Sequence, residues 1–125
     1  KRQVWIRVAE KLPDNLSLHQ SLLAYVSDFQ LLVTCLRPHG IPFGYGVLQM
    51  ATLDHALWFH RDCRLDDWIL YSTDSPSTHG ARGFARGQIF RKDGTLIASV
   101  SQEGLLRTPD TNRKKVSPSD PRLQI

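Results

Sequence analysis

The sequence predicts an α+β domain in which a curved antiparallel sheet wraps around one long central helix. Three observations carry this reading. Apolar residues recur with helical spacing in one stretch only. Strand-like stretches flank it, one before and four after. One of those strands has a face of small residues that a helix backbone can approach closely. All of this falls within residues 1–107; residues 108–125, with three prolines and scattered charge, read as a disordered extension.

The elements follow in order. Gln3 to Ala9 alternates as a strand, Val4-Ile6-Val8 against Trp5-Arg7, and Pro13-Asp14-Asn15 breaks it. From Leu16 or Ser17 the period changes. Leu18, Leu22, Val26, Phe29, Val33 and Leu36 recur at three or four residues, one face of a helix about twenty residues long. Asn15 or Ser17 caps its start, and Pro38 lies at or beyond its end. His39 to Gly46 is a loop rich in Gly and Pro. Val47 to Phe59 reads as one long strand and Asp67 to Asp74 as another, followed by a Ser/Pro/Gly turn over Asp74 to Gly80. Arg82 to Arg91 is the next strand, Lys92-Asp93-Gly94 a tight hairpin turn, and Thr95 to Arg107 the last strand.

In the strand from Arg82, the residues Gly83, Ala85, Gly87 and Ile89 share one face. The other carries Arg82, Phe84, Arg86, Gln88 and Phe90, too polar for a core and too aromatic for open solvent, so a partner is expected to cover it. One helix cannot hide both faces of a five-stranded sheet. The sheet is therefore expected to curl around the helix, the hot-dog arrangement.

Composition narrows the function. At 125 residues, 41% hydrophobic and 22% charged, the chain fits one globular domain. No apolar run approaches the roughly 20 residues of a membrane helix, and no signal peptide is visible, so no membrane partner is expected. The net charge is +4. Half of it sits in the tail, where Arg113, Lys114, Lys115 and Arg122 face Asp110 and Asp120, and no nucleic-acid motif is present. A mild positive field suits a polyanionic ligand. Cys35 and Cys63 make no disulfide framework and read as reduced thiols of an intracellular protein. The chain opens on Lys1 and reads as structured almost at once, so a piece of a longer protein is expected.

There is no G-x-S-x-G elbow, no GxGxxG and no P-loop. His55, His60 and Cys63 suggest a metal at first sight. The two histidines are an odd number apart on an expected strand, so they leave from opposite faces, and no metal or other cofactor is expected. Three polar residues fall where core belongs. Gln102 follows Leu96, Ala98 and Val100 on one strand face, Thr52 shares a face with Met50, Asp54, Ala56 and Trp58, and Asp28 borders the apolar stripe of the helix. Each alone reads as a locally satisfied polar group; three around one small core point to a site.

Longer motifs sharpen this: Gln3-Val4-Trp5-Ile6-Arg7, His19-Gln20-x-Leu22-Leu23-Ala24-Tyr25-x-Ser27-Asp28, Pro38-His39-Gly40-Ile41, Ala51-Thr52-Leu53-Asp54-His55-Ala56-Leu57-Trp58-Phe59-His60, Ala81-Arg82-Gly83-Phe84, Asp93-Gly94 and Gln102-Glu103-Gly104. On these the chain resembles the C-terminal hot-dog repeat of the acyl-CoA thioesterase II family of bacteria and peroxisomes. The resemblance implies hydrolysis of acyl-CoA to free fatty acid and CoA. It places the family's catalytic Asp, Thr and Gln on Asp28, Thr52 and Gln102, which bind and activate a water. Asp28 is then the base, while Thr52 and Gln102 hold the water in line; direct attack by Asp28 through an anhydride is the variant. Asp54 and His55 are candidates to support the trio. Arg82 and Arg86 are candidate contacts for CoA or a partner.

The family pairs two repeats in one chain, so a second hot-dog repeat or a homo-oligomer is the expected partner. A cytoplasmic or peroxisomal location follows from the resemblance, although the ending Arg122-Leu123-Gln124-Ile125 departs from the Ser-Lys-Leu-like peroxisomal signal. Two other readings stay open. One is an enoyl-thioester hydratase or dehydratase with His39 as base. The other is a non-catalytic half that binds acyl-CoA or only oligomerises.

Overall fold

The computed structural model describes residues 1–41 and 48–107. The extension from residue 108, and residues 42–47 of the Gly/Pro-rich loop, lie outside the described residues. In chain order the elements are β1 (Arg2–Ile6), α1 (Leu16–Asp28), a 3-10 helix (Leu32–His39), β2 (Gln49–Thr52), β3 (Ala56–Phe59), β4 (Ile69–His79), β5 (Arg82–Arg91) and β6 (Leu96–Arg107). The strands form one six-stranded antiparallel sheet in the order β1-β4-β5-β6-β2, with β3 also paired to β6. The sheet curls about the helical segments in a hot-dog fold.

Asn15 caps α1, its side chain accepting from Leu18 N–H at 3.2 Å. The helix runs for 13 residues, not about twenty, and ends at Asp28. Gln30 then takes the left-handed conformation at φ +58°, which costs about 1–2 kcal/mol for a residue with a Cβ. The kink turns Leu31 fully into the core, worth about 1.5–3 kcal/mol. Burial offsets the strain, and the chain resumes as the 3-10 helix that packs on β4 and β5. Pro38 lies inside that helix and Gly40, at φ +64°, closes it.

The buried face of α1 also differs from the expected stripe. It carries His19, Leu23 and Ser27, spaced by four. Leu22 and Val26 are only half-buried, and Tyr25 and Phe29 are 70% and 60% exposed. His19 is buried because both ring nitrogens are satisfied: Nδ1 accepts from Leu65 N–H at 3.1 Å and Nε2 donates to the Pro13 carbonyl at 3.1 Å.

The small face of β5 points inward as expected, with Gly83, Ala85, Gly87 and Ile89 all buried. A methyl group at Gly83 would meet Cys35 Sγ of the 3-10 helix at 2.8 Å, so the close approach requires glycine. The opposite face, with Arg82, Phe84, Arg86 and Gln88, faces outward. β4 runs on to His79 through a bulge between Asp74 and Ser77. The turn to β5 is therefore Gly80–Ala81, both at φ near +60°, a two-residue hairpin of the type that suits the strand twist. At the other end of β5, Asp93 Oδ1 accepts from Thr95 N–H at 2.9 Å, and Gly94 at φ +86° makes the expected turn.

The expected long strand from Val47 to Phe59 is interrupted. Thr52 pairs with Gly104 but Ala56 pairs with Ser101, so one extra residue is fitted against β6. The Leu53 and Asp54 N–H groups both donate to the Glu103 carbonyl, at 2.9 and 3.3 Å, which is a β-bulge. Asp54 closes it by accepting from Glu103 N–H at 2.8 Å. The bulge corrects the expected face. Met50 and Thr52 stand opposite Leu106 and Gly104 on the inner side, whereas Ala56 and Trp58 stand opposite Ser101 and Ser99 on the outer side. Among the described residues no helix is long and apolar enough to cross a membrane.

Candidate functional site

From Ala98 onward strand β6 alternates, placing Ala98, Val100, Gln102, Gly104 and Leu106 in the interior. Gln102 is fully buried. A buried primary amide must find partners or lose a kcal/mol or more for each unmet group, typically about 1–3. Gln102 has one at each end: Nε2 donates to Thr52 Oγ1 at 2.6 Å, and Oε1 lies 2.9 Å from His55 Nδ1. Thr52 reaches it as the last residue of β2, opposite Gly104. His55 reaches it because of the bulge, which returns the residue after Asp54 to the inner side.

The other ring nitrogen of His55, Nε2, lies 2.8 Å from Ser27 Oγ on α1. Ser27 in turn donates to the Ala24 carbonyl at 2.7 Å. The next residue, Asp28, ends the helix with Oδ1 4.0 Å from His55 Nδ1. His55 thus joins the helical carboxylate to the paired residues on the strands. Asp28 is not a buried carboxylate, however: its side chain is 60% exposed, on the open side of the cluster. The expectation of a core position failed because α1 turns its His19–Leu23–Ser27 face inward instead of the apolar stripe that Asp28 borders.

Tyr71 of β4 supports the cluster from below, donating to the Ser27 carbonyl at 2.5 Å. Burial, and then the negative charge of Asp28, hold its phenol well above the usual range. Ser27 and Tyr71 were not singled out in the sequence. The signal for Ser27 was its spacing of four from Leu23 on the buried face; nothing local marked Tyr71.

The remaining candidates lie elsewhere. Asp54 is turned onto the Glu103 N–H. Arg86 pairs with Asp74 at 2.7 Å, and Arg82 lies 3.7 Å from Glu103, both on the face opposite Gln102. A hollow of about 580 Å³ on that outer face is lined by Trp58, Phe84, Arg86 and Gln88. On the inner side, an apolar groove of about 390 Å³ runs between β1 and the end of α1, lined by Val4, Ile6, Tyr25, Val26, Phe29 and Tyr71. Its helical wall flanks Asp28. His60 faces outward onto Ser99 Oγ at 2.9 Å, away from His55. No three metal-ligating side chains come together among the described residues. Burial raises both cysteine thiols above their ordinary value, which keeps them in the unreactive protonated form.

The arrangement offers a carboxylate base open to solvent beside a rigid set of hydrogen-bonding groups. It suits placing and deprotonating a water, or polarising a carbonyl.

Known proteins resemble this chain over most of its length. A family model described as acyl-CoA thioesterase matches residues 1–105. Acyl-CoA thioesterase 2 of Haemophilus influenzae is 44% identical over 103 residues, covering 82% of this chain and 36% of that protein. Human acyl-coenzyme A thioesterase 8 is 36% identical over 118 residues, covering 93% of this chain and 36% of that one. The crystal structure of an acyl-CoA thioesterase II from Mycobacterium marinum superimposes with a TM-score of 0.80 at 46% identity, covering 86% of this chain and 41% of that one. A probable thioesterase from Bartonella henselae, at 19% identity and a TM-score of 0.59, shares the fold. The chain spans about a third of the length of the curated relatives it matches.

Proposed function

This chain belongs to the acyl-CoA thioesterase family, and we propose from that footing that its site hydrolyses acyl-CoA thioesters to a fatty acid and CoA. The observation that carries the reading is the buried Gln102 amide, clamped between Thr52 and His55 next to the open carboxylate of Asp28. Asp28 takes a proton from a water held by Thr52, whose hydroxyl is fixed by the buried Gln102 amide. The water oxygen attacks the thioester carbonyl, the C–S bond breaks, and the proton passes to the departing thiolate. That thiolate leaves readily, since its thiol has a pKa of about 8.5, so no strong acid is needed. Pre-ordering of this kind is what a water nucleophile lacks in solution. The acyl chain enters the apolar groove between β1 and α1, whose lining suits methylene groups.

The test is Asp28→Ala in the assembled enzyme, with release of free CoA thiol followed colorimetrically. Hydrolysis is expected to vanish while the circular dichroism spectrum and melting curve hold. Retained turnover would sink the assignment.

A second hot-dog unit, from a longer chain or another copy, completes the site. Three exposed apolar side chains support this, Tyr25 at 70%, Phe29 at 60% and Leu53 at 56%; Leu53 lies in the bulge and the other two flank Asp28. Among the described residues β2 and β3 also leave a strand edge open beyond β6. Light scattering is expected to report paired units; a single unpaired hot-dog unit in solution would contradict it.

A further inference from the structure

His55 has both ring nitrogens engaged, and the partners dictate where its protons sit. Ser27 has one hydroxyl hydrogen, given to the Ala24 carbonyl at 2.7 Å. Ser27 Oγ therefore takes a hydrogen from His55 Nε2, 2.8 Å away. On the other side Nδ1 faces Gln102 Oε1 at 2.9 Å, an atom that only accepts. A ring with hydrogens on both nitrogens would fit this orientation of its partners, with the Asp28 carboxylate 4.0 Å from Nδ1 as its counter-charge. In this state Gln102 gives a hydrogen to Thr52 Oγ1, which frees the hydrogen of Thr52 to point outward.

Removing the Nδ1 proton reverses the chain. A lone pair on Nδ1 would face the lone pairs of Oε1, and the terminal amide torsion is two-fold, so the amide turns end for end. Nε2 of Gln102 then donates to His55, Oε1 accepts the Thr52 hydrogen, and Thr52 faces outward with lone pairs alone. We propose that His55 is a positioning residue whose protonation sets the direction of the Gln102 amide, and through it whether Thr52 meets the reacting molecule as donor or acceptor. The donor state favours charge developing on a carbonyl oxygen; the acceptor state favours an attacking water.

Among the described residues the charged and titratable groups around the ring are few. Asp28 faces it from α1. Tyr71 of β4 acts one step away through the Ser27 carbonyl. Asp54, in the bulge beside it, is spent on the Glu103 N–H, and Glu103 of β6 lies toward Arg82 on the outer face.

The role in catalysis rests on the hydrolase reading above, but the proton arrangement does not, so the experiment has two arms. In the first, the full chain is labelled with 15N-histidine and the ring nitrogens of His55 are followed against pH. The neutral ring is expected to carry its hydrogen on Nε2. Gln102→Glu, whose carboxylate only accepts, is expected to hold the Nδ1 proton on His55 to higher pH. A neutral ring protonated on Nδ1, or a titration unmoved by Gln102→Glu, overturns the proposal. In the second arm, kcat/KM for acyl-CoA hydrolysis is measured against pH. The wild-type profile is expected to show a limb at the His55 midpoint, absent in His55→Gln. A purely structural histidine would lower the rate by one factor at every pH and leave the limb in place, which also overturns the proposal. Failure of the hydrolase reading would instead appear as turnover surviving Asp28→Ala, with the first arm unaffected.

Discussion

Nδ1 of His55 lies 2.9 Å from Oε1 of Gln102, a residue 47 positions further along the chain, and this contact ties the segment after the bulge to the interior of the sheet. It forms only because the bulge at Leu53 and Asp54 re-aims the strand after Thr52.

Gln102→Ala removes the partner of both Thr52 and His55 and empties a fully buried volume. A loss of about 1–3 kcal/mol is expected from the unmet hydrogen bonds, with kcat falling by about 10²-fold or more. Denaturant unfolding checks the first value and steady-state kinetics the second. An unchanged kcat would remove Gln102 from the reaction.

Gly87→Ala tests the floor of the site. A methyl group there would overlap the ring of Tyr71, which cannot move without leaving the Ser27 carbonyl. Overpacking of this kind costs about 1–3 kcal/mol. Both melting temperature and kcat are expected to drop, whereas a variant that lost stability alone would separate Tyr71 from the site.

Asp66 governs acid stability far from the site. Its carboxyl accepts from Arg64 and from Leu12 N–H, with Arg64 the larger influence, and it is held well below the usual carboxylate range. A depressed carboxyl contributes stability above its unfolded value, about 3.9, and loses it as pH falls further. The melting temperature of Asp66→Asn is thus expected to lie below wild type at pH 7. The gap should narrow once the pH drops below about 4. A gap independent of pH would mean that packing, not charge, is lost.

Val4→Trp fills the apolar groove beside α1. Turnover of long acyl-CoA is expected to fall about tenfold or more while short-chain turnover is kept, since each excluded methylene forfeits about 0.8 kcal/mol. Equal loss for both would place the acyl chain elsewhere.

Much of this was legible in the residues. The alternation Gly83-Ala85-Gly87-Ile89 fixed which face of β5 meets the helical segment, because small residues on one side of a strand leave few other options. Gln102 was legible for the same reason, a polar residue in register with Ala98 and Val100. The kink after Asp28 was not. No Gly or Pro marks it, and the apolar spacing runs on through Phe29, Val33 and Leu36, so only the pull of Leu31 and Leu32 toward the sheet decides it. The bulge was hidden likewise. Residues on both sides suit a strand, and the extra residue shows only in the pairing, Thr52 with Gly104 and Ala56 with Ser101. Its one trace was Asp54, a poor strand former whose carboxylate closes the irregularity.

That extra residue gives the edge of the sheet a parity. Before it, even-numbered side chains such as Met50 and Thr52 point inward; after it, odd-numbered ones do, including His55 and Leu57. Deleting a single residue at Leu53 or Asp54 would restore an uninterrupted ladder and keep both faces, Thr52 still opposite Gly104 and Ala56 opposite Ser101, whereas pairing the strand straight through at its present length would swing the Trp58 indole inward and the imidazole out. The bulge thus lets a segment one residue longer than its partner keep Thr52 and His55 on the same side of the sheet.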